Sequence, residues 1–233
     1  MIKALLTIDD LASGNTPALL DYLRGKGITP LLFGIGAALE ENRKEAEYAL
    51  QCGFIIGNHS YSHPHFSELS MGEAVREIER CEEVLDKLYR DCGVERKYRP
   101  FRFPYGDKGG ENKEALQVYL REKGFDKVDD TKLTYSFWDA KGYRKDIDTY
   151  WSFDIEEYRI RKGSDFTLES VMEKIHDPAP EEGAVMLAEG NSHIILFHAH
   201  DETDEMVPKY YEKIIGHLLE CGVKFEGPAF LPK

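Results

Sequence analysis

Apolar and polar positions fall into blocks along this chain, and the blocks change period. Residues 2–8 (IKALLTI) are an apolar run that stops at Asp9-Asp10 and predicts a buried first strand. Residues 16–24 carry apolar positions at helical spacing, with Asn15 or Thr16 as cap, Pro17 at the start, and Gly25 and Gly27 at the end. The pattern then predicts a second buried strand at 28–35, a charged amphipathic helix at 40–51 closed by Gly53, and a third strand at 54–58. The clearest helix is 70–88. Ser70 and Glu73 make a capping-box pattern, and Val75, Ile78, Val84, Leu85 and Leu88 recur between charges. Further strand-like runs lie at 98–103, 150–153 and 193–198, with a last helix at 209–219 and a last strand at 223–225. Residues 126–149 and 176–192 are polar or bear Pro and Gly, and predict long loops of the kind that shape binding sites on a barrel rim.

Strands alternating with helices over the whole length indicate an α/β fold with a parallel sheet or barrel. No repeat or linker divides the 233 residues, so a single domain over 1–233 is expected. The net charge of -13 disfavours phosphate backbones and anionic lipid, which argues against nucleic acid as a partner. No run approaches the length of a membrane span, so membrane insertion is not expected either. The opening MIKALLTIDD has no signal-peptide pattern; with Met1 as the natural start, a cytoplasmic location is the expectation. Cys52, Cys81, Cys92 and Cys221 show no C-x-x-C pairing and match no common zinc or redox spacing, which points to free thiols.

Five short motifs carry chemistry-bearing side chains. Asp9-Asp10 closes the first strand. Neighbours in a regular strand face opposite ways, so this pair can share a site only because it sits at a strand end. His59 and His63 are four apart and can meet one metal ion. Pro64 disfavours helix at His63, and His65 is a competing ligand or a surface residue. Arg102-Phe103-Pro104-Tyr105-Gly106 is an apolar run feeding a turn. Asp154-Ile155-Glu156-Glu157-Tyr158 follows another short strand. Leu196-Phe197-His198-Ala199-His200 ends a buried one, and spacing alone does not choose between His198 and His200. Gly34-Ile35-Gly36-Ala37-Ala38-Leu39 imitates a dinucleotide-binding turn, but Leu39 replaces the third glycine and the segment follows the second strand, not the first.

Each motif is weak alone, but their order is informative. Asp-Asp, H-S-x-x-H-P, R-x-P-Y-G, D-x-x-E-Y and L-x-H follow one another at strand ends. In this the chain resembles the polysaccharide deacetylase family with the NodB-homology fold (carbohydrate esterase family four), from about residue 3 to residue 228. The resemblance implies a distorted (β/α) barrel with its site at the C-terminal ends of the strands. It implies Asp9 as catalytic base and Asp10, His59 and His63 as ligands of one divalent metal. Zinc suits that donor set best, with cobalt, manganese, iron or nickel also compatible. It further implies Arg102 orienting Asp9, the Tyr105 backbone N–H stabilising an oxyanion, Asp154 holding the general acid His198, and Pro104, Tyr105, Tyr158 and Leu196 lining the acetyl and sugar pocket. The substrate would be an acetylated sugar, oligosaccharide or glycoconjugate. Three departures stand out: Leu11 where the family has glycine, expected to narrow or reshape the site; Glu157-Tyr158 in place of Asp-Trp; and an intracellular rather than secreted setting. Hydrolysis of another C–N bond, in a cyclic amide or ureide, is the alternative enzyme reading, and an inactive metal- or carbohydrate-binding homologue the alternative outside catalysis.

Overall fold

The computed structural model describes all 233 residues. In chain order the first half contains β1 (Ile2–Leu11), α1 (Thr16–Gly25), β2 (Leu31–Gly34), α2 (Gly36–Glu41), α3 (Arg43–Gln51), β3 (Ile55–Asn58) and α4 (Met71–Asp91). The second half contains α5 (Lys113–Glu122), α6 (Ser136–Ala140), β4 (Phe153–Asp154), α7 (Leu168–His176), β5 (Ser192–His198), α8 (Asp201–Met206), α9 (Tyr210–Glu220) and β6 (Val223–Phe225). The strands pair in parallel in the order β3-β2-β1-β5-β4. β6 pairs with the first residues of β1 (Ile2↔Val223), and β2 takes the same strand's later residues (Thr7↔Leu31).

The ring closes through an irregular segment. Phe101 makes a parallel bridge to Asn58 on β3, and its carbonyl accepts the N–H of Thr149, just before β4. The expected strand at 98–103 is therefore reduced to one bridge. Pro100 and Pro104 flank it and have no N–H to give a ladder. Together these links make the distorted barrel. The expected helix at 40–51 is two helices, because Asn42 (φ -104°, ψ 51°) breaks it between α2 and α3. The Ser70–Glu73 capping box forms as expected at the start of α4.

Alternation along the strands sorts side chains into two layers. Leu6, Ile8, Leu32, Ile195 and Phe197 point outward into the main core under the helices. Leu5, Leu31, Phe33 and Ile194 point inward and meet Val128, Leu133 and Trp138. The segment 126–149 is thus not a rim loop: it contains α6, and its apolar side chains fill the barrel interior. Gly34 and Gly36 are explained by packing. A Cβ on Gly34 would lie 2.7 Å from Leu39, and one on Gly36 2.7 Å from Tyr61, so these glycines allow close approach of the α2 turn rather than phosphate binding. No helix is long and apolar enough to cross a membrane.

Candidate active site

The inward columns of two adjacent strands rise to one place. On β1 the column is Leu5, Thr7, Asp9, and on β5 it is Ile194, Leu196, His198; the register sets Asp9 opposite His198 and Thr7 opposite Leu196. Asp10, next along, ought to face away. Its φ of 62° takes the chain into the left-handed region, which Asp tolerates better than most residues, and the carboxylate joins Asp9 in the same cavity. His63 (φ 58°) and Tyr105 (φ 57°) share that conformation, so three candidate residues sit on backbone that L side chains seldom adopt. The cavity encloses about 530 Å³ and is lined by Asp9, Asp10, His59, His63, Tyr105, Trp151, Asp154, Tyr158, Leu196, His198 and His200.

Asp9 is buried and its Oδ1 accepts Nη1 of Arg102 at 2.7 Å. Arg102 is itself buried. Nη1 also donates to Thr7 Oγ1 (2.7 Å), Nε donates to the Thr149 carbonyl (3.0 Å), and the guanidinium lies 4.5 Å over the Phe33 ring. The pair is therefore fixed in orientation, and Asp9 Oδ2 remains toward the cavity, 3.4 Å from His59 Nε2.

The Arg102 carbonyl also lies 2.9 Å from His59 Nδ1. A carbonyl only accepts, so Nδ1 carries a proton, and the neutral tautomer this selects has its Nε2 lone pair toward the cavity. His59 Nε2 and His63 Nε2 lie 3.5 and 3.3 Å from Asp10 Oδ1. Burial, and then the neighbouring His59, push His63 down to about 4, which keeps its imidazole neutral near pH 7. Burial opposes ionisation of Asp10, but the hydrogen bond to His200 and the fields of His198, His59 and His63 outweigh it and hold the carboxyl well below its usual range. Asp10 Oδ1 is nonetheless buried without a hydrogen-bond donor. A carboxylate oxygen facing two imidazole nitrogens, with all three ligand atoms within 4.8 Å of one another, fits a divalent metal ion. His65 is outside this set: it is half exposed, stacks on Tyr105 at 4.0 Å and faces Asp107.

Three sequence expectations are corrected here. Asp154 does not hold His198. Glu157, fully buried, does so: its Oε1 accepts the His198 backbone N–H (2.6 Å) and lies 3.0 Å from Nδ1. Asp154 lines the same cavity, but its Oδ1 accepts the Glu156 N–H, and burial above all pushes its carboxyl up to about 7. The reason is local geometry. Glu156 takes a left-handed φ of 61° between them, which swings Glu157 under β5. Leu11 does not narrow the site; it is wholly buried in the outer core. Pro104 is buried below its turn and does not line the cavity, whereas the Tyr105 ring is exposed there.

Burial opposes the charged form of His198, yet the Glu157 hydrogen bond and charge, with Asp10 and Asp9, raise it to about 10. Tyr158 packs edge-on against its ring at 4.7 Å. His200 also reaches the cavity, its ring 5.2 Å from His198, but its Nε2 bonds Asp10 Oδ2 at 2.8 Å. Sequence reasoning did not single out Trp151 as lining or Glu157 as a partner. The second acid of D-x-x-E-Y was the available signal for Glu157.

The polysaccharide deacetylase family profile matches residues 2–126, more than half of the chain. The chain belongs to the polysaccharide deacetylase family. Among relatives of this deacetylase-family chain, a peptidoglycan-N-acetylglucosamine deacetylase of Bacillus cereus is 32% identical over 106 residues, covering 45% of this chain and 37% of that protein. The match thus spans little more than a third of that relative's length. A solved polysaccharide deacetylase from Bacillus cereus superposes with a TM-score of 0.65 at 24% identity, covering 96% of this chain and 90% of the other. A family pseudoenzyme from Bacillus anthracis superposes with a TM-score of 0.63 at 19% identity, covering 96% and 62%. At these identities the superpositions establish the deacetylase-type barrel and nothing finer.

Proposed function

We propose that this family member removes acetyl groups from an acetylated carbohydrate or glycoconjugate bound over the C-terminal ends of β1 and β5. One observation carries the reading: Asp9, paired to Arg102, stands opposite His198, paired to Glu157, beside the Asp10-His59-His63 donor set. A base and an acid on either side of an electrophile site are what hydrolysis of an unactivated amide needs. Asp10, His59 and His63 would hold a divalent cation, zinc first by donor chemistry, which when bound supplies Lewis-acid polarisation of the acetyl carbonyl and a lowered pKa for water. Asp9 Oδ2 takes the proton of the attacking water while Arg102 fixes its carboxylate. The Tyr105 backbone N–H donates to the developing oxyanion in this reading. His198, kept cationic by Glu157, returns a proton to the departing nitrogen or oxygen. Leu196 and Tyr158 border the methyl group, and Trp151 offers an apolar face to the sugar ring.

Acetate release from N-acetylated oligosaccharides and O-acetylated sugars, with single metals supplied in turn, tests the proposal. Absence of acetate from every substrate at verified metal occupancy refutes it. Ring opening of a cyclic amide without acetate release would move the reading to the other C–N hydrolases.

A further inference from the structure

A second group of metal-ligating side chains lies away from the cavity. His176 is the last residue of α7 and is exposed. His217 lies on α9 and Cys221 caps its end, four residues on and so on the same helix face. His176 Nε2 and His217 Nε2 are 2.8 Å apart, His217 Nε2 is 3.6 Å from Cys221 Sγ, and the three ligand atoms all lie within 4.8 Å of one another. Cys221 is a free thiol. Tetrahedral zinc, with bonds of about 2.0 Å to nitrogen and 2.3 Å to sulfur, sets its ligand atoms roughly 3.3–3.6 Å apart. The nitrogen–sulfur spacing already meets this, and the two imidazoles need part by only about 0.5 Å.

We propose that His176, His217 and Cys221 form a second metal site, for zinc or a cation of similar softness, which pins α7 to α9. Two imidazoles and a thiolate select such a cation over calcium or magnesium. Both imidazoles bind as neutral ligands and the Cys221 thiol releases its proton to solvent on binding. Three protein ligands leave a fourth position for water. The site is remote from the deacetylase cavity. Val223, two residues after Cys221, pairs with Ile2, whereas Asp9 is seven residues along β1, roughly 23 Å at about 3.3 Å per residue. Its role is therefore to brace the helical layer, independent of the hydrolytic site.

The full chain, reduced and stripped of metal, is titrated with cobalt(II). The site predicts two equivalents bound and a near-ultraviolet thiolate-to-cobalt charge-transfer band. The Asp10-His59-His63 set contains no sulfur, so the band reports the second site alone. Cys221→Ser and His176→Ala should each remove the band and one equivalent while leaving acetate release unchanged. The double variant His59→Ala, His63→Ala should keep the band, and in it zinc at a hundredfold excess over Kd should raise Tm by about 5–10 °C, a rise that adding Cys221→Ser abolishes. A single equivalent without the band overturns the proposal, as does a band that survives in Cys221→Ser. Failure of acetate release in every substrate would leave the cobalt result intact, so the two readings fail separately.

Discussion

Replacing Glu157 by Gln changes one atom of a fully buried side chain and tests the role given to His198. In the native protein Glu157 Oε1 accepts both the backbone N–H and the region of Nδ1–H of His198, at 2.6 and 3.0 Å. That contact is the leading influence raising His198 to about 10 against the opposing effect of burial. A Gln carbonyl can keep both hydrogen bonds but not the charge. Loss of an adjacent opposite charge is worth about 1–3 pKa units, or roughly 1.4–4 kcal/mol of preference for the imidazolium. The alkaline limb of kcat should lie at or below about 10 in the wild type, since a bound cation offsets part of the Asp10 charge, and should fall by that 1–3 units in Glu157→Gln. Stability should follow the same sign. A raised imidazole contributes fully below its unfolded value near 6.5 and loses the contribution as pH rises through the folded value, so wild-type Tm should decline between those limits and the variant's should decline less. Acetate release across pH 6–11, with a melt at each pH, measures both. Asp154→Asn is the control: it makes no hydrogen bond to His198, so its limb should move much less. An unmoved limb in Glu157→Gln, or equal movement in both variants, refutes the assignment.

Asp9→Asn should retain metal and lose most activity, whereas Asp10→Asn should lose metal as well, because Oδ1 of Asp10 is the buried oxygen facing both imidazoles; elemental analysis of the two variants checks this. His198→Ala should lower kcat by about 10²–10⁴ at unchanged metal content. His200→Ala should cost much less, and the order is read from kcat at full occupancy. Gly36→Ala should destabilise by about 1–3 kcal/mol, because the new Cβ would meet Tyr61 at 2.7 Å, and an unchanged Tm would contradict that packing.

The site was legible in the sequence where strand period and motif order agree. Asp9, Leu196 and His198 share inward positions on β1 and β5, and a period of two ending in polar residues announces such columns. What escaped depended on backbone that no period describes. Asp10, Glu156 and Tyr105 take left-handed conformations that redirect neighbours, so which acid of the 154–157 stretch reaches His198 could not be read from spacing. The barrel's closing segment was over-read instead: 98–103 has the apolar pattern of a strand, but Pro100 and Pro104 leave only one bridge, at Phe101. Residues 126–149 looked like a loop because their apolar residues, Val128, Leu133 and the Phe137-Trp138 pair, follow no strand or helix period among polar neighbours, and their burial is set by the hollow they fill. The His176-His217-Cys221 cluster joins two helices far apart in sequence, which a search for paired cysteines passes over.

β1 has a consequence for how the protein comes into being. Its partners β5 and β6 belong to the last stretch of the chain; Thr7 bonds to Ile195 across 188 residues. On a ribosome, β1 emerges first and waits with an unpaired edge until those residues follow, since segments synthesised at roughly 5–20 residues per second arrive in order. Loop closure of this span is slow and leaves apolar strand exposed meanwhile. Asp9 and His198 sit on β1 and β5, so the cavity that both line is assembled only when β5 joins β1, and a fragment ending before β5 lacks it.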